Sequence, residues 1–337
     1  MAKQSLAIKY RPSSFDDVTE QDNVKIILTK QLNSGEIKHS YLFVGGAGTG
    51  KTTCARILAN EINKNVGNPI ELDAASNNSV DDMRELIKQA QTKSIDSEYK
   101  VFIVDECHMI TVQGWNALLK ILEEPPAKSI FIFCTTDPQK VPKTILSRVQ
   151  RYDFRMISQQ GIVDRLKYVL GSEKNGTNYE WEPDAIRYIA KLTNGHMRDA
   201  LTMLDKCLTY NNNLTLDNVV KALGVADYDT MMRLTDCISK DNAKTLEIID
   251  TVYMSGVDLK QFIKQYMEFI FEIIKYDIVK DIDKTQLPNI SEIKKWLENV
   301  KDCHKILDIL VELNKELKYS MSPKFLVEYM LTEGMNE

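Results

Sequence analysis

YLFVGGAGTGKTTCARILAN, residues 41–60, is the stretch on which the rest of this chain is read. Four apolar residues, Tyr41 to Val44, run directly into glycines, and a helical stretch follows from Lys51 to Asn63. Between them Gly45, Gly46, Ala47, Gly48, Thr49, Gly50, Lys51 and Thr52 fit G-x-x-x-x-G-K-[ST], with Thr53 next in the helix. The glycines let backbone N–H groups close around phosphate oxygens, and the helix N-terminus adds a dipole that favours anions. Lys51 would reach the β- and γ-phosphates of ATP, and the Thr52 hydroxyl would bind Mg²⁺. A chance glycine-rich turn requires neither a strand before it nor a helix after it, and this loop has both.

Outward from that loop, the first 155 residues or so alternate between strands and helices. Ile70 to Asp73, Val101 to Val104 and Ile130 to Cys134 are further short apolar runs, separated by amphipathic segments. Ser79 and Asp82 predict a capping box for the helix VDDMRELIKQAQ, and a second helix is expected from Trp115 to Glu124, stopped by Pro125 and Pro126. Continuous apolar strands separated by helices predict a parallel sheet covered on both faces. After Phe154 the strand signals stop, and helix starts are read at Ser158, Pro183, Met197, Thr215, Asp227, Asp241, Asp258, Cys303 and Ser322-Pro323. Ile306, Leu310, Leu313 and Leu317 form one stripe at helical spacing, either a bundle core or a subunit interface. The expected division is an α/β nucleotide-binding domain over 1–156, a small helical lid over 157–224 and an all-helical domain over 225–337.

Composition narrows the class. At 337 residues the chain exceeds one compact core, and 43% hydrophobic with 27% charged residues is ordinary for a globular protein. A net charge of −5 means that any nucleic-acid contact must come from a local patch. No apolar run approaches the roughly 20 residues that cross a bilayer, and MAKQSLAIKYRP does not read as a signal peptide, so a cytoplasmic protein without membrane contact is expected. The six cysteines are widely spaced with no C-x-x-C pair, and are read as reduced, buried small hydrophobes.

Four further groups carry chemistry. VFIVDECH, 101–108, ends a buried strand in Asp105 and Glu106, where Asp105 would hold Mg²⁺ and Glu106 would polarise the attacking water. His108 is read as a packed or surface residue without a role. The strand IFIFC leads into Thr135-Thr136-Asp137-Pro138, where a polar residue at the tip would sense a γ-phosphate or orient the water, although threonine at a strand end is common. Arg148 and Arg151 are read as standing before a short strand, either as surface ion pairs or, in a ring, with one reaching a neighbour's ATP as a finger, worth roughly 10³- to 10⁵-fold in rate. Arg198 at a helix start would touch the nucleotide across a cleft or pair with Asp199 or Glu180.

Together IKYRPSSFDDV (8–18), HSYLFVGGAGTGKTTCARILA (39–59), ELDAASNNSVDDMRE (71–85), VFIVDECHMIT (101–111), NALLKILEEPP (116–126), TTDPQKVPKTILSR (135–148) and HMRDAL (196–201) resemble the gamma/tau subunits of bacterial DNA polymerase III. That resemblance spans about the first 210 residues. It implies an AAA+ module, a lid and a helical collar assembling subunits into an open pentameric ring or spiral, with a sliding clamp and primer–template DNA as partners. By position it implies Tyr10, Arg11 and Pro12 near adenine, Lys51 and Thr52 on phosphates and magnesium, and Asp105 with Glu106 as the Walker B pair. It also implies Thr135 or Thr136 as the first sensor, with Thr136 the choice carried forward, Arg148 as the finger and Arg198 as the second sensor.

The chain departs from the family in places. A four-cysteine zinc module usually follows the P-loop helix, whereas Asn60 to Pro69 is a short linker here, so no zinc is expected. A usual glycine before the first core helix is Glu20, and the serine-arginine-cysteine triplet reads Ser147-Arg148-Val149. Ending at Glu337, the chain is read as a short form without the tau tail. DNA binding is implied by the resemblance and not by charge: the helix around Met83 mixes Arg84, Lys88 and Lys93 with Asp81, Asp82 and Glu85, and a solvated face accounts for it at least as well. The expected function is an ATP-hydrolysing clamp-loader motor. Its rivals are a non-hydrolysing structural subunit and a branch-migration type of helicase, the latter expected to carry a winged-helix domain.

Overall fold

Short runs of β-branched and aromatic residues form one five-stranded parallel sheet in the computed structural model, which describes residues 4–94, 96–173, 179–223, 228–238, 240–282, 285, 287 and 291–333. The described chain divides into two compact units, Met1–Tyr179 with Ile186–Asp205, and Glu180–Ala185 with Lys206–Glu337. In chain order the elements begin with α1 (Leu6–Lys9), α2 (Asp22–Ser34), β1 (Ser40–Val44), α3 (Lys51–Ile62), β2 (Ile70–Asp73) and α4 (Val80–Ala90). They continue with β3 (Lys100–Asp105), α5 (Val112–Glu123), β4 (Ser129–Thr135), α6 (Lys143–Leu146), β5 (Gln150–Asp153) and α7 (Gln159–Ser172).

The sheet order is β2-β3-β4-β1-β5, and every neighbouring pair runs parallel. Alternation along each strand sends side chains to opposite faces. Tyr41, Phe43, Ile103 and Ile132 pack with α2 and α3, whereas Leu42, Phe102, Val104 and Phe133 pack with α4 and α5. Burial on both faces is why the strands read as continuous apolar runs. Parallel strands also bring all their carboxyl ends to one edge, where ligand sites of open α/β sheets lie.

Local signals behave as read, with two adjustments. Ser79 accepts the Asp82 amide while the Asp82 carboxylate accepts the Ser79 amide, completing the capping box of α4. The second helix starts at Val112, not Trp115, because the Thr111 hydroxyl caps it through the amide of Gly114. Arg151 lies within β5 and pairs with Asp153, so it does not stand before the strand.

Later elements are β6 (Glu180–Trp181), α8 (Pro183–Leu192), α9 (Met197–Tyr210), β7 (Asn213–Leu214) and α10 (Leu216–Leu223). After them come α11 (Tyr228–Cys237), α12 (Asn242–Met254), α13 (Leu259–Val279), α14 (Ser291–Leu297), α15 (Cys303–Glu316) and α16 (Pro323–Glu333). The two-residue pair β6–β7 is a strand signal that the sequence reading missed after Phe154. The expected helix start at Asp227 and the boundary near residue 225 lie outside the described residues. In the second unit, Phe262, Tyr266 and Ile270 of α13 pack with the Ile306, Leu310, Leu313 and Leu317 stripe of α15. That stripe is therefore core, and its reading as a subunit interface falls away.

Of the six cysteines, four are buried as expected, while Cys237 and Cys303 are only half-buried against the helical core. No described helix is long and apolar enough to cross a membrane. Leu310→Ala should cost about 2–5 kcal/mol through the cavity it leaves. Exposed Val311→Ala on the same helix should stay within about 0.5 kcal/mol, both read from denaturant unfolding midpoints.

Candidate functional site

The P-loop sits where β1 ends. Its first residue, Gly45, donates its amide to the Thr135 carbonyl at 3.2 Å, so the loop starts tied to the tip of β4. A Cβ on Gly45 would lie 2.6 Å from the Phe154 carbonyl oxygen, so only glycine fits there. Gly48 has φ +66, and a Cβ there would stand 3.2 Å from the His196 Cα. Its carbonyl accepts the Met197 amide at 3.3 Å, joining the loop directly to the start of α9.

Lys51 opens α3 and is buried. Its ammonium donates to the Gly45 carbonyl at 2.9 Å and the Gly46 carbonyl at 2.8 Å. Burial lowers its pKa, and the carboxylates of Asp105 and Glu106 oppose that shift. Beside it the Thr52 hydroxyl donates to Asp105 Oδ2 at 2.7 Å, joining the P-loop helix to the end of β3 across a sequence separation of 53 residues.

Glu106 follows Asp105 in a left-handed conformation, φ 46. Its Oε2 accepts the Thr136 hydroxyl at 3.1 Å and lies 3.3 Å from His108 Nδ1. His108 belongs to a 3-10 turn, Cys107–Met109, and its Nδ1 also lies 3.2 Å from the Thr135 hydroxyl. The sequence reading gave His108 no part, yet it touches both the acidic pair and the strand tip. A histidine two residues after a strand-end glutamate was the available signal. Thr135 is buried and accepts the Asp137 amide at 3.0 Å, whereas half-buried Thr136 is the threonine that reaches Glu106. Lys51, Thr52, Asp105, Glu106, Thr135 and Thr136 thus meet at one sheet edge.

Residues 68–158 match the family described as DNA polymerase III, delta subunit, and residues 161–213 match the DNA polymerase III clamp loader subunit, ATPase lid domain. Residues 214–332 match DNA polymerase III subunits gamma and tau domain III. DNA polymerase III subunit gamma of Buchnera aphidicola (subsp. Schizaphis graminum) is 32% identical over 100% of this chain and 99% of its own length. The chain belongs to the DNA polymerase III gamma/tau family. DNA polymerase III subunit tau of Bacillus subtilis is 30% identical over 97% of this chain, which spans 62% of that longer protein. Among solved structures, the Thermotoga maritima RuvB Holliday junction branch migration motor superposes with a TM-score of 0.54 at 22% identity, over 68% of this chain and 79% of that one. That likeness concerns the fold alone.

Other residues expected at the site of this gamma/tau chain take varied places. Tyr10 meets Tyr168 of α7 edge-on, and its hydroxyl donates to Glu173 at 2.7 Å. Burial and that carboxylate push the Tyr10 phenol up to about 12. Arg11 is exposed and Pro12 half-buried, and among the described residues no hydrogen bond or ion pair joins Tyr10, Arg11 or Pro12 to the P-loop. Arg148 pairs with Glu123 of α5, its Nε 2.9 Å from Oε1, and also bonds the Thr144 carbonyl. Arg198 follows Met197 at the start of α9 and is exposed, with no ion pair among the described residues. Asp199, offered as its partner, instead lies 3.2 Å from His196 Nδ1.

Two residues here went unassigned in sequence. Glu20, where the family usually has glycine, sits at φ 56 and accepts the Ser158 amide and hydroxyl at the start of α7. Its Oε1 would be 2.4 Å from a Cβ on Gly161, so that glycine makes the room. Gln21, also at φ 56 and buried, donates to the Arg155 carbonyl at 2.6 Å and the Thr49 carbonyl at 3.3 Å, and accepts the Arg155 amide at 3.0 Å. Gln21→Ala should destabilise the chain by about 1–3 kcal/mol, because buried backbone groups lose their partner. Exposed Gln160→Ala should stay within about 0.5 kcal/mol, and chemical unfolding of both variants measures the difference.

Proposed function

We propose that this chain is the ATP-hydrolysing motor subunit of a loader that opens a ring-shaped sliding clamp and places it on primer–template DNA. The observation that carries this reading is the meeting of Lys51, Thr52, Asp105, Glu106 and Thr136 at one sheet edge in a chain of the gamma/tau family. Glycine-rich backbone and a buried ammonium suit polyphosphate. The Thr52 hydroxyl and Asp105 carboxylate are hard oxygen donors 2.7 Å apart, a set that fits Mg²⁺. A bound Mg²⁺ would supply charge neutralisation at the phosphates.

The chain's own residues account for the rest. Gly45 to Thr53 would cradle the phosphates, Lys51 would neutralise the charge that develops on them, and Glu106 would orient the attacking water. Thr136, bonded to Glu106, would sense the γ-phosphate. Arg148 would leave Glu123 to act on a neighbouring subunit's ATP, and Arg198 would report the nucleotide to the lid. Tyr10, Arg11 and Pro12 would border adenine. In this reading residues 1–156, 157–224 and 225–337 act as AAA+ domain, lid and oligomerising collar of a pentameric ring or spiral in the cytoplasm.

A structural, non-hydrolysing subunit is the weaker reading, since the P-loop is intact. The RuvB likeness raises a branch-migration motor, but from Tyr228 to Glu333 the regular elements among the described residues are all helices, without the strands of a winged helix. Steady-state ATP hydrolysis by the loader assembled from one source, with sliding clamp and primed DNA, tests the proposal. Clamp and DNA should stimulate turnover together, Lys51→Ala should abolish it, and Arg148→Ala should remove the stimulation by roughly 10³-fold or more. Unstimulated wild type, or clamp loading that survives Lys51→Ala, would sink the motor reading.

A further inference from the structure

Glu106 stands on a left-handed backbone, and neighbouring side chains crowd its carboxylate. Two groups do so on the same oxygen. The Thr136 hydroxyl donates to Oε2 at 3.1 Å, and His108 Nδ1 approaches it to 3.3 Å. The imidazole is nearly enclosed, with 13% of its side chain exposed against 39% for Glu106. Nδ1 faces a second oxygen, Thr135 Oγ1 at 3.2 Å, which already accepts the Asp137 amide. A carboxylate only accepts, so a proton on Nδ1, donated to Thr135, is the tautomer that suits the nearby Glu106 oxygen.

We infer that His108 is a positioning residue for hydrolysis: its ring, hydrogen-bonded through Nδ1 to Thr135 at the tip of β4, stands against the Glu106 carboxylate and, with Thr136, fixes Oε2 so that Oε1 is left for water. This rests on the reading of Glu106 as the water-polarising group. The ring sets the acid against the tip of β4, next to Thr136, so carboxylate and sensor move as one piece. Nothing in this role touches nucleotide binding.

Substitutions separate geometry from bulk. Asn carries a donor in the place of Nδ1, Gln carries it one bond further out, and Ala has none. In the assembled loader with clamp and primed DNA, His108→Ala and His108→Gln should lower kcat by up to about a hundredfold with KM for ATP unchanged. His108→Asn should recover most of that loss. Adding Thr136→Ala to His108→Ala should cost less than the two single losses multiplied. Full activity in His108→Ala, a loss carried by KM, or Asn no better than Ala would overturn the inference. Nitrogen NMR of the histidine-labelled chain reads the contact without turnover: His108 should carry its proton on Nδ1, and Glu106→Gln should shift that signal. A bare Nδ1 would end the proposal outright. If the wild-type loader hydrolyses no ATP, the motor reading fails, and the nitrogen spectrum alone then decides the His108–Glu106 contact.

Discussion

The parallel pairing of β1 with β4 is the constraint on which the site depends. Val44 stands in register with Thr135, and the next amide, Gly45, bonds the Thr135 carbonyl. On its other edge β4 pairs with β3, which ends in Asp105. The phosphate loop, the acidic pair and the threonine tip are therefore spaced by strand separations of about 4.8 Å, not by flexible loops. Because β4 is buried along its whole length, its tip cannot shift without breaking two ladders and two hydrophobic faces. Chemistry that tolerates errors well below 1 Å gains from such a frame.

Charge at this edge is arranged in the same economical way. Lys51 would be costly to bury alone, but two of its three N–H donors meet P-loop carbonyls, and the carboxylates of Asp105 and Glu106 favour its charged form. Thr52 uses its proton on Asp105, and Glu106 draws one from Thr136. Each acidic group is satisfied by a hydroxyl from a different strand or helix, so removing one partner disturbs two elements at once.

What was legible in the sequence follows from distance along the chain. The P-loop, the strands and the α4 capping box are local patterns, written in periods of two or in spacings of a few residues, and they appear where they were read. His108 was not legible as a partner of Glu106 and Thr135, since the second contact spans 27 residues and depends on strand order. Gln21 was invisible for the same reason, its bonds to Arg155 reaching across 134 residues. The α15 stripe left core and interface open, because helical periodicity records that a face is buried but not what covers it. The two-residue strands β6 and β7 are too short to carry any period.

Backbone strain is common to three residues around the site. Glu20, Gln21 and Glu106 all adopt positive φ without being glycine, a conformation that costs about 1–2 kcal/mol each. In each case the side chain recovers bonds that glycine could not make: Glu20 with Ser158, Gln21 with Arg155 and Thr49, Glu106 with Thr136 and with His108 nearby. Glycine at position 20 would relax the turn but leave the amide and hydroxyl of Ser158 without the carboxylate. The space that Glu20 occupies exists because residue 161 has no Cβ. Glu20 and Gly161, 141 residues apart, thus fit together, and the carboxylate fastens the start of α7 to the segment that precedes α2 within the same compact unit.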